Sequence, residues 1–163
     1  MTSPDVLPRV GARVLLVDGG GRVLLLHGRD PADPAAGSWW FTPGGGADEG
    51  ESVAGAARRE LAEETGLVVS DVGPPVWVRT AEFSFVGRRF RQQETFFLVR
   101  VDSHDVHDGG WTELERDAVD GWRWWELGEL EASGERVYPS ALVEHLRRLL
   151  ADGPAPEPVD VGP

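Results

Sequence analysis

The sequence predicts an α+β fold, a sandwich built on a mixed β-sheet, and three observations carry that expectation. Short runs rich in Val and Leu recur between Gly and Pro turns, the pattern of strands. Two stretches with apolar residues at helical spacing stand far apart, so helices punctuate the strands. With 163 residues, 40% of them hydrophobic and 27% charged, the chain suits a single core.

The elements follow in order. Val10 to Asp18 and Val23 to His27 are apolar runs separated by Gly19, Gly20 and Gly21, which reads as a β-hairpin. Arg29 to Ser38, with Pro31, Pro34 and Gly37, is a loop, and Trp39 to Phe41 is a brief strand ended by Pro43 and three glycines. A helix is expected from Ser52 to Thr65, capped by Ser52 and stopped at Gly66, with Val53, Ala57 and Leu61 as its apolar stripe. Val76 to Phe85 and Thr95 to Val101 read as strands joined through Gly87 and the basic run Arg88, Arg89 and Arg91. Ser103 to Asp120 reads as acidic and irregular, Gly121 to Glu126 as a Trp-dense strand, and Pro139 to Leu150 as a final helix. The expected domain spans residues 1–151, and residues 152–163, Pro-rich and acidic, are expected to be a disordered tail.

Composition removes whole chemistries. There is no Cys, Lys, Asn or Ile, so a thiolate nucleophile, a disulfide framework, a Cys-ligated zinc, a Lys Schiff base and a P-loop Lys are excluded. A net charge of −12 repels phosphate backbones at long range, which disfavours a nucleic-acid duplex or an anionic membrane as partner. No apolar run approaches the roughly 20 residues of a membrane helix, and Met1 to Arg9 lacks the order of a signal peptide, so the cytoplasm is the expected address.

Acidic excess suits a divalent cation, and one segment concentrates it. On the helix, Glu60 and Glu64 differ by about 40° and Glu60 and Glu63 by about 60°, so three carboxylates share a face. They lie toward the helix C-terminus, where mutual repulsion and the macrodipole both disfavour them. Arg59, four residues before Glu63, can relieve part of that charge and reach back to Glu51; Mg2+ or Mn2+ suits the rest. The glycines of Pro43 to Gly46 let backbone approach a metal or a phosphate.

Gly45, Glu51 and the run Arg59-Glu60-Leu61-Ala62-Glu63-Glu64-Thr65-Gly66-Leu67 resemble the Nudix box at every defined position, over Gly45 to Leu67. The resemblance implies an α/β/α sandwich and a metal-dependent pyrophosphohydrolase that cleaves a nucleoside diphosphate linked to another moiety. It implies Glu60, Glu63 and Glu64 as metal ligands or their close helpers, the Gly44 carbonyl as a further ligand, and Glu51 with Arg59 as the brace of the loop. The general base stays open between a box glutamate and Glu94, Glu113 or Glu115. A nucleoside triphosphate or modified nucleotide is the first-choice substrate; a nucleotide sugar, a dinucleotide or a non-catalytic sensing role are the alternatives. Phe83, Ser84 and Phe85 stand where branches for ADP-ribose and for diadenosine polyphosphates carry Pro and Tyr, and without Asn the chain has Gln92, Gln93 or an Asp to read a base. Oligomeric state is not readable from the sequence; a homodimer stays open, since members of the family often pair and the N-terminal hairpin has an edge to offer.

Trp39 and Trp40, just before the glycines, are candidates for stacking on a base, and Arg88 and Arg91 for gripping phosphates. Trp122, Trp124 and Trp125 share a strand, so alternation divides them between core and surface. His104, Asp105, His107 and Asp108 have metal-ligand chemistry but no helical spacing, and read as loop.

Overall fold

The computed structural model describes residues 5–163; Met1 to Pro4, part of the stretch read above for a leader pattern, lie outside the described residues. In chain order, β1 (Val6–Val17) and β2 (Val23–Arg29) precede a 3-10 turn at Pro34–Ala36, β3 (Ser38–Phe41), β4 (Gly44–Gly46) and α1 (Val53–Thr65). Then come β5 (Pro75–Phe85), β6 (Arg88–Arg100), α2 (Glu113–Ala118), β7 (Val119–Trp125), α3 (Leu127–Ser133), β8 (Val137–Tyr138), α4 (Leu142–Asp152) and β9 (Val159–Asp160).

β1 organises the mixed sheet, whose order is β8-β3-β2-β1-β6-β5-β9. It runs parallel to β6 from Val6↔Arg89 to Val17↔Arg100, while its other edge is shared by β4, opposite Gly11 to Arg13, and β2, registered at Val17↔Val23. The predicted hairpin therefore touches itself only near its turn, and β2 pairs instead with β3 and β7.

Period-2 alternation divides β1 between two cores. Ala12, Val14 and Leu16 pack under α1 with Ala56, Ala57 and Leu61, where small residues let the helix sit close to the sheet. Leu15 and Val17 pack on the opposite face with Trp77, Phe96 and α4 residues Leu142, Leu146 and Leu149. Each fully buried Leu contributes about 1.5–3 kcal/mol. Helices on both faces make the α/β/α sandwich that was expected. No helix among the described residues is long and apolar enough to cross a membrane.

On the α4 face, the apolar surface ends at Phe96 and Trp77, and the same three strand faces continue as polar floor. Stepping by two from those residues and from Leu15 gives Glu94 on β6, Arg79 on β5 and Arg13 on β1. Glu94, 2% exposed, accepts from Arg13 Nε at 2.7 Å, from Gln92 Nε2 at 2.8 Å and from Arg79 Nη1. Burial by itself raises the Glu94 pKa, but Arg13 and then Arg79 outweigh it and hold the carboxyl below the usual range. This ion triad stitches three strands at the point where the core stops.

The structure corrects the sequence reading in three places. Arg88, Arg89 and Arg91 belong to β6 rather than to a turn, because the β5–β6 pairing continues to Phe85↔Arg88. The irregular stretch contains α2, held by a capping box in which Thr112 Oγ1 accepts from Glu115 N and Glu115 accepts from Thr112 N. Residues 152–163 are not a free tail: β9 pairs parallel to β5, Val161 N donates to Val78 O at 3.1 Å, and the Val161 side chain is 3% exposed in the core beside Trp77. Prolines exclude helix there, while Val159 and Val161 carry the alternation of an edge strand.

Deleting residues 153–163 uncovers Trp77 and the β5 edge, and should lower stability by about 2–4 kcal/mol; thermal melting checks this, and an unchanged midpoint would show that the segment contributes nothing. Glu94→Gln should cost about 3–5 kcal/mol at pH 7 by leaving two largely buried guanidinium groups unbalanced. Because the folded-state pKa of Glu94 lies below the usual 4.5, its stabilisation is complete above that value and is lost as pH falls through the folded pKa. The gap between wild type and variant in denaturant titrations should therefore close in acid; a gap independent of pH would sink the assignment.

Candidate functional site

The site begins with an approach of backbone to helix. β4 is three glycines, and α1 lies over it so closely that a Cβ on Gly45 would stand 2.6 Å from Glu60 Oε1. Gly44, at φ +144°, has the same constraint from the other side, since its Cβ would meet Ala12 O at 2.1 Å. α1 is fixed at its start by Ser52, whose Oγ accepts from Gly55 N at 3.0 Å, and ends at Gly66 in the left-handed conformation. These bounds direct Glu60 and Glu64 at the glycine backbone, where Gly44 N donates to Glu64 Oε1 at 3.1 Å.

The three glutamates differ in environment. Glu64 is buried, Glu60 is nearly so, and Glu63 is 41% exposed at the side chain. Burial, then a hydrogen bond and repulsion from Glu60, pushes the Glu64 pKa well above its usual value. Glu63 is raised by burial and by Glu60. Arg59 balances the outer part of the cluster: it donates to Glu60 Oε1 at 3.1 Å and Glu63 Oε2 at 3.3 Å, and forks onto Glu51 with two bonds of 2.9 Å. Those Arg59 hydrogen bonds, with one from Asp48 N–H, pull the Glu51 carboxyl down to about 2. The expected brace of Glu51 and Arg59 is thus formed, and Arg59 Nη2 also donates to Gly46 O at 3.1 Å.

Among the described residues, no three Asp, Glu or His side chains converge on one metal position. Arg59 holds Glu60 and Glu63, Gly44 N–H holds Glu64, and the Gly44 carbonyl accepts from Arg13 Nη1 at 3.2 Å. The donor set nevertheless fits a hard divalent cation. It offers carboxylate and carbonyl oxygens, the ligands such a cation takes, and Glu60 and Glu64 repel each other when both are charged.

Glu60, Glu64 and Gly44 form one wall of a cleft of about 740 Å³. Its floor is the polar continuation of the β1, β5 and β6 faces: Arg9, Arg13, Arg79, Gln92 and Glu94, with Phe83 and Phe90 paired at 5.5 Å near the mouth. Of the expected residues, Glu115, Trp39 and Arg88 line this cleft. Trp40 does not, because it is half-buried and packs edge-on against the core residue Trp125 at 5.2 Å. Arg91 points away and donates from Nε to Glu82 Oε1 at 2.7 Å, and Glu113 on α2 stands outside while Glu115 turns in. Glu94, a candidate base, has its oxygens committed to the ion triad. Arg9, Arg13 and Arg79 were missed, although Arg9 and Arg13 show period-2 spacing in an otherwise apolar strand. The capping box Thr112 to Glu115 was a signal for α2 in the same way.

The chain matches the family described as NUDIX domain over residues 7–146. It is 34% identical over 148 residues to the RNA pyrophosphohydrolase of Sphingopyxis alaskensis, covering 80% of this chain and 86% of that one. It is 34% identical over 152 residues to the RNA pyrophosphohydrolase of Caulobacter vibrioides, covering 83% and 79%. Its fold resembles a MutT protein from Methanosarcina mazei, with TM-score 0.60, 19% identity and coverage of 90% and 97%. An Ap4A hydrolase from C. elegans superposes with TM-score 0.60 at 20% identity, covering 88% and 98%. The residues around Arg59, the sandwich that positions them and relatives of this extent agree on one assignment: the chain belongs to the Nudix family, as a hydrolase acting on phosphoanhydride bonds.

Proposed function

We propose that the chain is a divalent-metal-dependent pyrophosphohydrolase that releases a nucleoside monophosphate from a nucleoside triphosphate or a modified nucleotide. The observation that carries this reading is the buried Glu60–Glu64 carboxyl pair, pressed against glycine backbone at the wall of an Arg-floored cleft. Glu60, Glu63, Glu64 and the Gly44 carbonyl are the residues that would hold Mg2+ or Mn2+. Such an ion, when bound, polarises a phosphoryl oxygen and acidifies water.

The chain's own groups supply the rest. The exposed Arg9 and Arg88 of the cleft lining attract phosphates electrostatically, and Phe83 and Phe90 offer faces on which a base stacks. Glu115 faces the cleft with one oxygen engaged by Thr112 N–H, which leaves the other free to orient water and accept its proton. The water oxygen bonds to phosphorus, the bridging P–O bond breaks, and its electron pair leaves on the departing phosphate oxygen. A triphosphate then gives monophosphate and pyrophosphate.

A second substrate reading, a triphosphate at the 5′ end of RNA, is favoured by the names of relatives with 34% identity.

Product analysis with Mg2+ or Mn2+ over nucleoside triphosphates, oxidised nucleotides, nucleotide sugars, dinucleoside polyphosphates and a short 5′-triphosphorylated RNA tests the proposal. Monophosphate and pyrophosphate should form, or pyrophosphate from the RNA; silence on all of them together with calorimetric nucleotide binding would make the protein a sensor. Glu63→Gln and Glu64→Gln should each lower kcat by about 10²–10⁴-fold with the fold retained, and full activity in both would refute the metal wall. Glu115→Gln should lower kcat by about 10²-fold or more while leaving the melting temperature near that of wild type; unchanged kcat would return the role of base to a box glutamate.

A further inference from the structure

A loop that the proposed chemistry does not use grips the end of α1. Helices leave their last carbonyls without partners, and here the segment after β6 supplies several. Thr65 O accepts from His107 N at 2.9 Å and pairs with His104 Nε2 at 2.7 Å. Glu64 O accepts from the indole Nε1 of Trp111 at 2.9 Å. Between these contacts Gly110 lies so close that its Cβ would stand 2.6 Å from Glu63 O, so backbone presses on backbone beside two of the acidic residues.

The far end of the same segment starts α2. Trp111 N donates to Asp108 O at 3.1 Å, Thr112 caps the helix, and Arg116 Nη2 returns to Asp108 O at 3.0 Å. Trp111 also meets Trp122 of β7 edge-on at 5.8 Å. A rigid indole therefore sits between the last turn of α1, which carries Glu63 and Glu64, and the first turn of α2, which carries Glu115.

We propose that Trp111 is a positioning residue: its N–H on the Glu64 carbonyl sets the position of Glu115 relative to the last turn of α1, which carries Glu63 and Glu64. The proposal rests on the hydrolase reading above, and its consequence is a loss of turnover without a loss of substrate binding. An error of about 1 Å in such a constellation costs up to about 10²-fold in rate.

Trp111→Phe keeps the ring against Trp122 and removes the donor. Its kcat should fall about 10- to 100-fold with KM within about twofold of wild type, and α2 amides should exchange hydrogen faster while α1 residues Ala56 to Leu61 stay protected. His104→Ala, which removes another α1 cap without touching α2, should lower the melting temperature and leave kcat within about twofold. Gly110→Ala, which displaces the strap but keeps the indole, should repeat the Trp111→Phe pattern and decides the matter if Trp111→Phe does not fold. Wild-type kcat in Trp111→Phe, or equal kcat losses in Trp111→Phe and His104→Ala, would overturn the proposal. If wild type hydrolyses nothing, the hydrolase reading fails first, and unchanged α2 exchange in Trp111→Phe would separately remove the strap.

Discussion

Five hydrogen bonds from one guanidinium, that of Arg59, join the parts of the site that would otherwise repel or drift apart. Two go to Glu51, one to Gly46 O, and one each to Glu60 and Glu63. Arg has the donors in a rigid fork for this task, and it retains its charge when partly buried. The glycine strand, the loop leading to α1 and the acidic face of the helix are thereby fixed relative to each other. Glu60 and Glu64 then come close together against glycine backbone, where burial and the charge of Glu60 raise the Glu64 pKa.

Overall charge and local charge have opposite signs. The chain carries −12, yet the sheet floor beneath the acidic wall is built from Arg9, Arg13 and Arg79. Two of these arginines are tied by Glu94, whose burial costs energy that their proximity outweighs. This ion triad marks the border at which a single set of strand faces changes from α4-facing core to cleft. Fold stability and the electrostatics of the site therefore share residues, so substitutions on the floor affect both.

The second half of the cleft comes from segments whose order is local and short. α2 is six residues and is held by its capping box, by Arg116 and by Trp111 rather than by a long apolar stripe. β9 is two residues and depends on Val161 filling the space beside Trp77. Such elements have too few apolar contacts to stand alone. They form only on a sheet and helix already in place.

The sequence alone determined the helix from Ser52 to Gly66, its three carboxylates on one face, the glycines before it and the Glu51–Arg59 brace, because caps, 3.6-residue periodicity and local spacing are properties of neighbouring residues. The α+β class was legible for the same reason, while the three-layer order came from the resemblance to the Nudix family. Only the tertiary structure decided that Trp40 packs against the core while Trp39 lines the cleft, that Glu115 and not Glu113 lines the cleft with Glu60 and Glu64, and that Glu94 is held by Arg13 and Arg79. It also decided that Val159 to Val161 close the β5 edge. Each of these depends on which strand lies beside which and in what register. Pairings across 81 residues, as between Arg13 and Glu94, leave no period in the chain, since their free energy arises only when distant segments meet.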